Sequence, residues 1–573
     1  MESLRWSMKN KSKRSHMSKP QKLIIYWKTY GTRSLIRKIT CKLGLSVQEA
    51  LTYHAWNRMH QPGREELRQQ RQSTFERRPE IAVIIDGLEG TVEEIRRTRH
   101  SVQSQTYTKL RIFEIKKKTK AEALLEETKA ELFLFVKAGI ELRPQLLYRI
   151  AECWNKNDSI DGIYFDEDCK IQGKYENPYF KPDKDAELIL NFQYLGLAFA
   201  VSRELLEQAP CIKLWGNDWY DLALHVFEGA GEIIHIPEVL FAKTKDVSAS
   251  GFYRNTLPAL GSCIQASLRR RGVKAQVEEG CVPGFFHVQY CIREPQPLVS
   301  IIIPNKDHIE ELTTCIEGLQ HKNNYRKFEI IVAENNSVEE KTFRYYERIQ
   351  KQYDNVQVVK WEGEFNYSAI NNFAVKSAKG ELLLFLNNDT EIQNKECLEE
   401  LVQCCYRPGI AAAGAMLYYP DDTIQHGGVV IGIGGFAAHA LWSLTDREER
   451  YYPYSVTMRE FSACTGACLM VKHDIFRQVG GFEEKLAVAL NDVDLCMKIR
   501  EAGEKIIFNP YAKMYHYESK SRGYEDSKEK IDRFNREIAY FQERWKRQLE
   551  EGDPYYNKNQ TLHKADYSVE WMI

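Results

Sequence analysis

Residues 378–392 read AKGELLLFLNNDTEI, in which the apolar run Glu381–Leu386 ends at the polar triplet Asn387-Asn388-Asp389. A short apolar run of this kind is typical of a strand that is buried on both faces of a sheet. Two similar runs, Val299–Ile303 and Phe328–Val332, precede it, and helical stretches separate them. Strands that alternate with helices predict an α/β fold built from βαβ units around a parallel sheet.

The same pattern occurs once before in the chain. Residues 128–142 read TKAELFLFVKAGIEL, and six of the fifteen positions are identical to residues 378–392. Predicted strands at Ile81–Ile85 and Leu110–Ile115 precede this stretch, which itself contains the predicted strand Glu131–Val136. A repeated supersecondary unit of this kind predicts two tandem α/β domains.

The expected organisation has five parts. In chain order these are a basic, mostly helical N-terminal arm (1–78), a first α/β domain (79–250), a linker (251–296), a second α/β domain (297–545) and a C-terminal tail (546–573).

The overall charge is balanced, but its distribution is not. The 573 residues contain 80 Lys and Arg and 80 Asp and Glu, so net charge gives no reason to expect a nucleic-acid partner. Residues 1–45 nevertheless carry twelve basic side chains and a single acid, Glu2, among aromatic residues such as Trp6 and Trp27. This basic head could rest on an anionic membrane surface or pack as an arm on the next domain.

The sequence contains no apolar run of the roughly 18–20 residues that a membrane-spanning helix needs. Its basic start also lacks the apolar core of a secretory signal. We therefore expect a cytoplasmic protein, peripheral at the inner face of the membrane if the basic head binds lipid. Its 14 cysteines are then expected to be reduced.

Polar side chains follow the strands of the second predicted domain. In an α/β sheet, ligands bind at the carboxyl ends of the strands, where Asn305, Asp307, Glu334 and the Asn387–Asp389 triplet are expected. Carboxylates together with substrate phosphates suit Mg²⁺, and Mn²⁺ accepts an imidazole as well. The alternative is that the triplet is only a polar turn.

Two later residues could complete such a site. Asp492 lies near the start of a predicted helix, Leu495–Glu501, where the helix dipole favours a carboxylate. The alternative for Asn491 or Asp492 is helix capping. His516 could join Asp389 on a metal, although a lone histidine is more often structural.

Seven motifs occur together and in order over about residues 297–545, and they resemble a family 2 glycosyltransferase of the type that builds bacterial O-antigen, rhamnan or other surface polysaccharide. The motifs are SIIIPNKD, EIIVAENNS, FNYSAINNFAVKSAKGELLLFLNNDTEI, HGGVVIGIGG, TGACLMVKHDIF, GGFEEKLAVALNDVDLCMKIREAG and YHYESKSRG. A weaker resemblance covers about residues 79–245.

This resemblance implies a GT-A fold, a nucleotide-sugar donor, a glycan or lipid-linked glycan acceptor, and a divalent cation, Mg²⁺ or Mn²⁺. It implies a general base at Asp492 and metal ligands at Asp389 and His516. It also implies a nucleotide-sugar site formed by Pro304, Asn305, Asp307, Glu334, Asn372, Asn387 and Asn388. Asn387 departs from the usual Asp-x-Asp motif and leaves it one carboxylate short.

The first domain lacks these residues. Lys137-Ala138-Gly139 aligns with the Asn387–Asp389 triplet, and Lys243 aligns with His516. Lysines at both positions oppose a cation, so we expect a degenerate domain that binds acceptor glycan or only supports the fold. For Asp166-Glu167-Asp168 we expect a surface turn, with a second metal motif as the alternative.

The function predicted from the sequence is an inverting, metal-dependent glycosyltransferase. One alternative is a catalytically inactive glycan-binding or scaffold protein of the same pathway. A second alternative, a sugar nucleotidyltransferase, would need a phosphate-binding loop rich in glycine and arginine after its first strand, and Ile303–Lys306 is not such a loop.

Overall fold

The computed structural model describes residues 47–115, 120–157, 159–209, 212, 218–229, 231–244, 257–446, 451–517 and 527–570. The whole of the basic head, residues 1–45, lies outside these residues. In the described part of the chain, no helix combines the length and the apolar character needed to cross a membrane.

The described residues form 22 strands and 18 α-helices. The strands are β1 (Ile81–Asp86), β2 (Leu110–Ile115), β3 (Leu132–Lys137), β4 (Ile140–Leu142), β5 (Ile160–Ile171), β6 (Lys174–Tyr179), β7 (Ala198–Ser202), β8 (Glu232–Lys243), β9 (Ala275–Glu279), β10 (Phe286–Tyr290), β11 (Val299–Asn305), β12 (Phe328–Asn335), β13 (Val356–Trp361), β14 (Leu382–Leu386), β15 (Thr390–Ile392), β16 (Ile410–Tyr418), β17 (Ile424–His426), β18 (Val429–Ile431), β19 (Ala437–His439), β20 (Arg459–Glu460), β21 (Cys468–Lys472) and β22 (Lys505–His516). The helices are α1 (Val47–His60), α2 (Arg64–Gln72), α3 (Val92–Gln103), α4 (Ala121–Glu127), α5 (Leu146–Lys156), α6 (Leu188–Asn191), α7 (Arg203–Gln208), α8 (Asp218–Glu228), α9 (Leu257–Arg270), α10 (Ile309–Glu317), α11 (Glu340–Gln352), α12 (Tyr367–Val375), α13 (Cys397–Cys405), α14 (Tyr452–Ser455), α15 (His473–Gln478), α16 (Asn491–Glu501), α17 (Lys528–Arg544) and α18 (Lys546–Glu551).

Two mixed sheets dominate the molecule, which confirms the α/β class. The first has the strand order β2-β1-β3-β7-β5-β8-β4, with β6 added beside β5. The second has the order β13-β12-β11-β14-β21-β16-β22-β15, with β17 and β20 added. When β1 is matched to β11, β3 to β14, β7 to β21 and β8 to β22, the shared strands follow the same order in both sheets.

The sequence predicts parallel sheets, but both sheets contain antiparallel pairs as well as parallel ones. β1 runs parallel to β2 and β3, but β7 runs antiparallel to β3, and β21 runs antiparallel to β14. The reason for the difference is that a continuous apolar run signals burial on both faces of a sheet but carries no information about strand direction.

The six apolar runs all form strands, and every residue of β1 and β14 is buried. β11 and β12 extend beyond the apolar runs to Asn305 and Asn335. Their terminal polar residues are therefore held by the sheet, with the rigidity of a strand.

The surface turn expected at Asp166-Glu167-Asp168 is wrong. These residues lie inside β5, and Asp166 and Asp168 are completely buried. Each of the three carboxylates lies beside a basic side chain: Asp166 faces His235, Glu167 faces Lys181 and Lys243, and Asp168 faces Arg143.

The segment between the sheets, for which we expected a linker, contains α9 and the β9–β10 hairpin. Its residues Leu260, Ile264 and Phe285 belong to one apolar core that includes residues of both sheets. Polar contacts also join the two halves: Arg407 forms a 2.8 Å ion pair with Glu187. At the N-terminal side, Trp56 of α1 packs edge-on against Phe180.

Candidate active site

Two adjacent parallel strands bring the first polar residues together. β11 and β14 are paired with Val299 opposite Leu382, so their carboxyl ends lie side by side. The Asn388 Nδ2 atom, just after β14, donates to Asn305 Oδ1 at 2.6 Å. Asn305 Nδ2 in turn donates to the Tyr346 hydroxyl at 2.8 Å. Pro304 precedes Asn305 as the penultimate residue of β11.

The Asp389 carboxylate lies beside the His516 imidazole because β15 pairs with β22, which places Thr390 opposite His516. The distance from Asp389 Oδ1 to His516 Nε2 is 3.2 Å, and Asn387 Nδ2 lies 3.1 Å from the same nitrogen. On the other side of the ring, His516 Nδ1 lies 2.6 Å from Gln425 Oε1. Asp389 and His516 are both buried.

This pair fits a divalent cation. The amide oxygen of Gln425 accepts, so the hydrogen-bond network assigns the ring proton to Nδ1. The Nε2 lone pair then accepts from Asn387 Nδ2 and would be available to a cation held beside Asp389. A carboxylate oxygen and an imidazole nitrogen then converge, with an outer partner that fixes the ring. In the described part of the chain, no group of three or more His, Cys, Asp or Glu residues could hold a metal, so a donor diphosphate would have to supply further oxygens.

Asp492 is the second residue of α16, which begins four residues earlier than predicted. The helix starts early because Leu490 adopts a left-handed conformation (φ 62°) and occupies the N-cap position, so neither Asn491 nor Asp492 is the cap. Asp492 Oδ1 accepts from the Val493 amide at 2.8 Å, and Oδ2 accepts from the Gly466 amide at 2.7 Å. The carboxylate is thereby oriented towards a neighbouring loop.

That loop, Thr465–Ala467, connects the carboxylate of Asp492 with the triplet. Gly466 accepts a hydrogen bond from the Tyr367 hydroxyl at 3.0 Å, while the Ala467 carbonyl accepts from the Asn387 amide at 3.0 Å. A methyl group on Gly466 would lie 3.3 Å from both Asp492 Cβ and Tyr367 Oη, so a larger residue here would press on both side chains. Neither Tyr367 nor Gly466 was predicted as a site residue, although both lie within the family-like motifs of the sequence.

Glu334 and Asp307, two of the predicted nucleotide-binding residues, differ in how far their carboxylates are already hydrogen-bonded. Glu334, at the end of β12, is buried; its Oε1 accepts from the Ser337 amide at 2.7 Å, and its Oε2 has no hydrogen-bond partner among the described residues. An orphaned buried acceptor of this kind suits a ligand hydroxyl. The Asp307 carboxylate instead accepts from Val338 N, Glu339 N and Thr342 Oγ1 at 3.0–3.1 Å, at the start of α11.

Asn372 lies on α12, and its side chain bonds with Phe482 rather than with the triplet. Its amide binds both the amide and the carbonyl of Phe482, at 2.9 and 3.0 Å. It also lines a cavity of about 680 Å³ together with Lys376, His473 and Arg477. Among the described contacts, no hydrogen bond joins Asn372 to the Asn387–Asp389 triplet.

The corresponding edge of the first sheet carries lysines. β4 pairs with β8 so that Ile140 lies opposite Lys243, as Thr390 lies opposite His516 in the second sheet. Lys243 Nζ lies 2.9 Å from Glu167 Oε1, and Lys137 Nζ lies 2.6 Å from Asp86 Oδ2.

Glu167 has a second partner, Lys181, at 3.0 Å. Burial would raise the pKa of Glu167, but the two lysines outweigh this effect and lower it to about 2. The C-terminal segment also covers this edge, where Asn557 donates to the Asp166 carboxylate and to the Lys181 carbonyl, each at 2.9 Å.

Comparison with known proteins identifies the family of the second half. The family described as "Glycosyl transferase family 2" matches residues 300–480. Protein y4gI of Sinorhizobium fredii, which is uncharacterised, is 34% identical over 446 residues, covering 75% of this chain and 49% of that protein. The O-antigen biosynthesis protein RfbC of Myxococcus xanthus is 34% identical over 442 residues, covering 75% of this chain and 34% of that protein. The chain thus spans half or less of the length of these two relatives.

Solved structures share less with the chain. A crystal structure of GalNAc-T7 with UDP, GalNAc and Mn²⁺ aligns with 45% of this chain and 51% of its own, at 17% identity and a TM-score of 0.37.

Proposed function

Because residues 300–480 form a glycosyl transferase family 2 domain, we propose that this chain moves a sugar from a nucleotide-sugar donor to a glycan acceptor, with inversion, in the synthesis of a surface polysaccharide. The O-antigen biosynthesis role named for RfbC supports the pathway. One observation carries the proposal: the Thr465–Ala467 loop binds both the Asp492 carboxylate and Asn387, the first residue of the triplet that lies beside His516.

The residues divide into a donor side and an acceptor side. On the donor side, the unpaired Glu334 Oε2 would accept from a ribose hydroxyl, and the Asn305–Asn388 pair would border the nucleotide. Asp389 and His516 would hold a divalent cation, which supplies positive charge against the departing nucleoside diphosphate. Asp307 would act indirectly, by fixing the start of α11 beside this crevice.

On the acceptor side, Asp492 would be the general base. Its carboxylate removes the proton of the acceptor hydroxyl as that oxygen attacks the anomeric carbon. Attack on the face opposite the leaving group in one displacement inverts the configuration. The Gly466 amide holds one carboxylate oxygen and so fixes the direction in which the base points.

A purified full-length chain should hydrolyse at least one nucleotide-sugar in the presence of Mn²⁺ or Mg²⁺. The experiment is a screen of UDP-, GDP- and dTDP-sugars, with release of the nucleoside diphosphate as the readout and EDTA as the control for metal dependence. Sugar transfer to glycan acceptors would then be measured with the donor that is hydrolysed fastest. Failure to turn over any donor would favour the alternative of an inactive scaffold.

We also propose that the basic head, residues 1–45, holds the enzyme at an anionic membrane surface. Each Lys or Arg near such a surface contributes about 1 kcal/mol, and salt screens the attraction. The full chain should sediment with vesicles that contain anionic lipid at low salt and be released at high salt. A chain that starts at Pro79 should not sediment. Equal sedimentation of both forms would leave the head as a packing arm.

A further inference from the structure

Trp442 lies at the surface between two residues with positive φ angles. Its side chain is 46% exposed, and in the described part of the chain no other tryptophan is among the exposed large apolar residues. Its neighbours Leu441 and Ser443 both adopt left-handed conformations, with φ of 58° and 60°. Residues with side chains rarely occupy this region, and they tend to do so at functional sites.

Hydrogen bonds on both sides keep this loop in place. The Leu441 amide donates to the Ala565 carbonyl and the Ser443 amide donates to the Ile424 carbonyl, each at 2.8 Å. The indole Nε1 of Trp442 donates to the Tyr419 hydroxyl at 2.9 Å. The aromatic face is therefore presented in one orientation, which lowers the entropy cost of binding a ligand.

The loop is attached to the candidate active site. Ile424, which also accepts from Ser443, donates its own amide to the Leu444 carbonyl at 2.8 Å. The next residue, Gln425, is the one that holds His516 Nδ1. Trp442 thus lies beside the strand that orients the imidazole of the donor side.

The chemistry of the surroundings suits a sugar. Two carboxylates border this part of the sheet: Asp446 accepts from the Tyr418 hydroxyl at 2.7 Å and Asp422 accepts from the Tyr515 hydroxyl at 2.5 Å. A pyranose ring has an apolar C–H face that packs on an aromatic ring, and hydroxyl groups that bind carboxylates. We propose that Trp442, with Tyr419 behind it, is an aromatic platform that binds the acceptor glycan; this inference rests on the transferase function proposed above.

The test uses the full chain and two defined probes, a rhamnose disaccharide and a disaccharide of N-acetylglucosamine. Saturation-transfer NMR should show contact between the wild-type protein and the ring C–H protons of at least one probe. Trp442→Ala should weaken binding of that probe about tenfold, as expected for loss of an aromatic anchor, while Trp442→Phe should retain most of it. Phe343→Ala, at another exposed aromatic residue on α11, is the matched control and should have no effect.

Donor hydrolysis without acceptor, measured on the same variants, reports both on folding and on the donor side. We expect Trp442→Ala to hydrolyse donor at the wild-type rate. Three results would contradict the proposed platform. They are unchanged probe binding by Trp442→Ala, binding of neither probe by the wild type, and a loss of donor hydrolysis in Trp442→Ala that parallels the loss of probe binding. Absence of donor hydrolysis in the wild type as well, with probe binding still dependent on Trp442, would instead count against the transferase function.

Discussion

The carboxyl edges of the two sheets are built on the same strand order and carry opposite chemistry. In the second sheet, Asp389 and His516 converge at 3.2 Å, and Glu334 has a buried oxygen that no residue in the described part of the chain pairs with. In the first sheet, Lys243 occupies the position of His516 and is paired with Glu167. The shared strand order therefore fixes where the side chains at each edge meet. The residues at the strand ends decide whether their charges and hydrogen bonds are satisfied within the chain or need a ligand.

The two edges also differ in the source of the positive charge that balances their carboxylates. A lysine ammonium at the first edge supplies the positive charge that the second edge would take from a cation, so the first edge is neutralised by its own chain. Asn557 of the C-terminal segment occupies further acceptors there. We infer that the second edge is the catalytic one and that the first edge serves the fold.

The largest expected effect is at the proposed base. Asp492→Asn should reduce sugar transfer by about 10²–10⁴-fold, the usual contribution of a positioned base, while nucleotide binding is retained. Asp221→Asn on α8 of the first half, whose carboxylate pairs with Arg270, is the control and should transfer normally. Steady-state transfer rates with saturating donor distinguish the two variants, and near wild-type turnover by Asp492→Asn would remove this residue from its role.

The next effect concerns the donor side. Asp389→Ala and His516→Ala should each weaken Mn²⁺-dependent nucleotide binding by at least the roughly 10–100-fold that loss of an outer partner of a metal ligand costs. Lys137→Ala, at the position aligned with Asn387, should not change it. Calorimetric titration of each variant with nucleoside diphosphate and Mn²⁺ makes the measurement. Equal weakening by Lys137→Ala would mean that the first edge takes part in nucleotide binding.

A smaller effect is expected where the base is positioned. Tyr367→Phe removes the hydrogen bond to the Gly466 carbonyl and should lower kcat about tenfold through Asp492, roughly the value of one hydrogen bond to a polar network. The KM for donor should stay the same. Comparison of kcat with KM tests this, because a general loss of structure would change both, and an unchanged kcat would exclude the positioning role.

The smallest effect is on the stability of the first edge. Lys243→Met should lower the free energy of unfolding at pH 7 by less than the roughly 3–5 kcal/mol that loss of the sole partner of a buried charge costs, since Lys181 still faces Glu167. The pKa of Glu167 is depressed to about 2, so its contribution is present above the ordinary value of about 4.5 and is lost as the pH falls towards 2.

The difference in melting temperature between wild type and Lys243→Met should therefore shrink as the pH falls from 4.5. Lys170→Met is the control, because its ion pair with Glu141 is more exposed and should contribute little. A difference that grows towards low pH would contradict this view of Glu167.

The sequence predicted the parts of this comparison that follow from local pattern. Apolar runs located three strands of each sheet. The internal repeat aligned Lys243 with His516, which the strand register supports. Strand direction and the burial of Asp166–Asp168 could not be predicted, because they depend on which distant residues become neighbours. The same is true of the Thr465–Ala467 loop, because its role depends on contacts between Gly466 and two residues distant from it in the sequence, Tyr367 and Asp492.

We propose that only one of the two similar edges binds the nucleotide with a metal. The most direct test of this proposal is the stoichiometry of Mn²⁺-dependent binding of UDP, GDP or dTDP to the full chain by titration calorimetry. We predict one site per chain, lost in His516→Ala and unchanged in Lys243→Ala. Two equivalent sites, or a single site that Lys243→Ala abolishes and His516→Ala spares, would contradict the account.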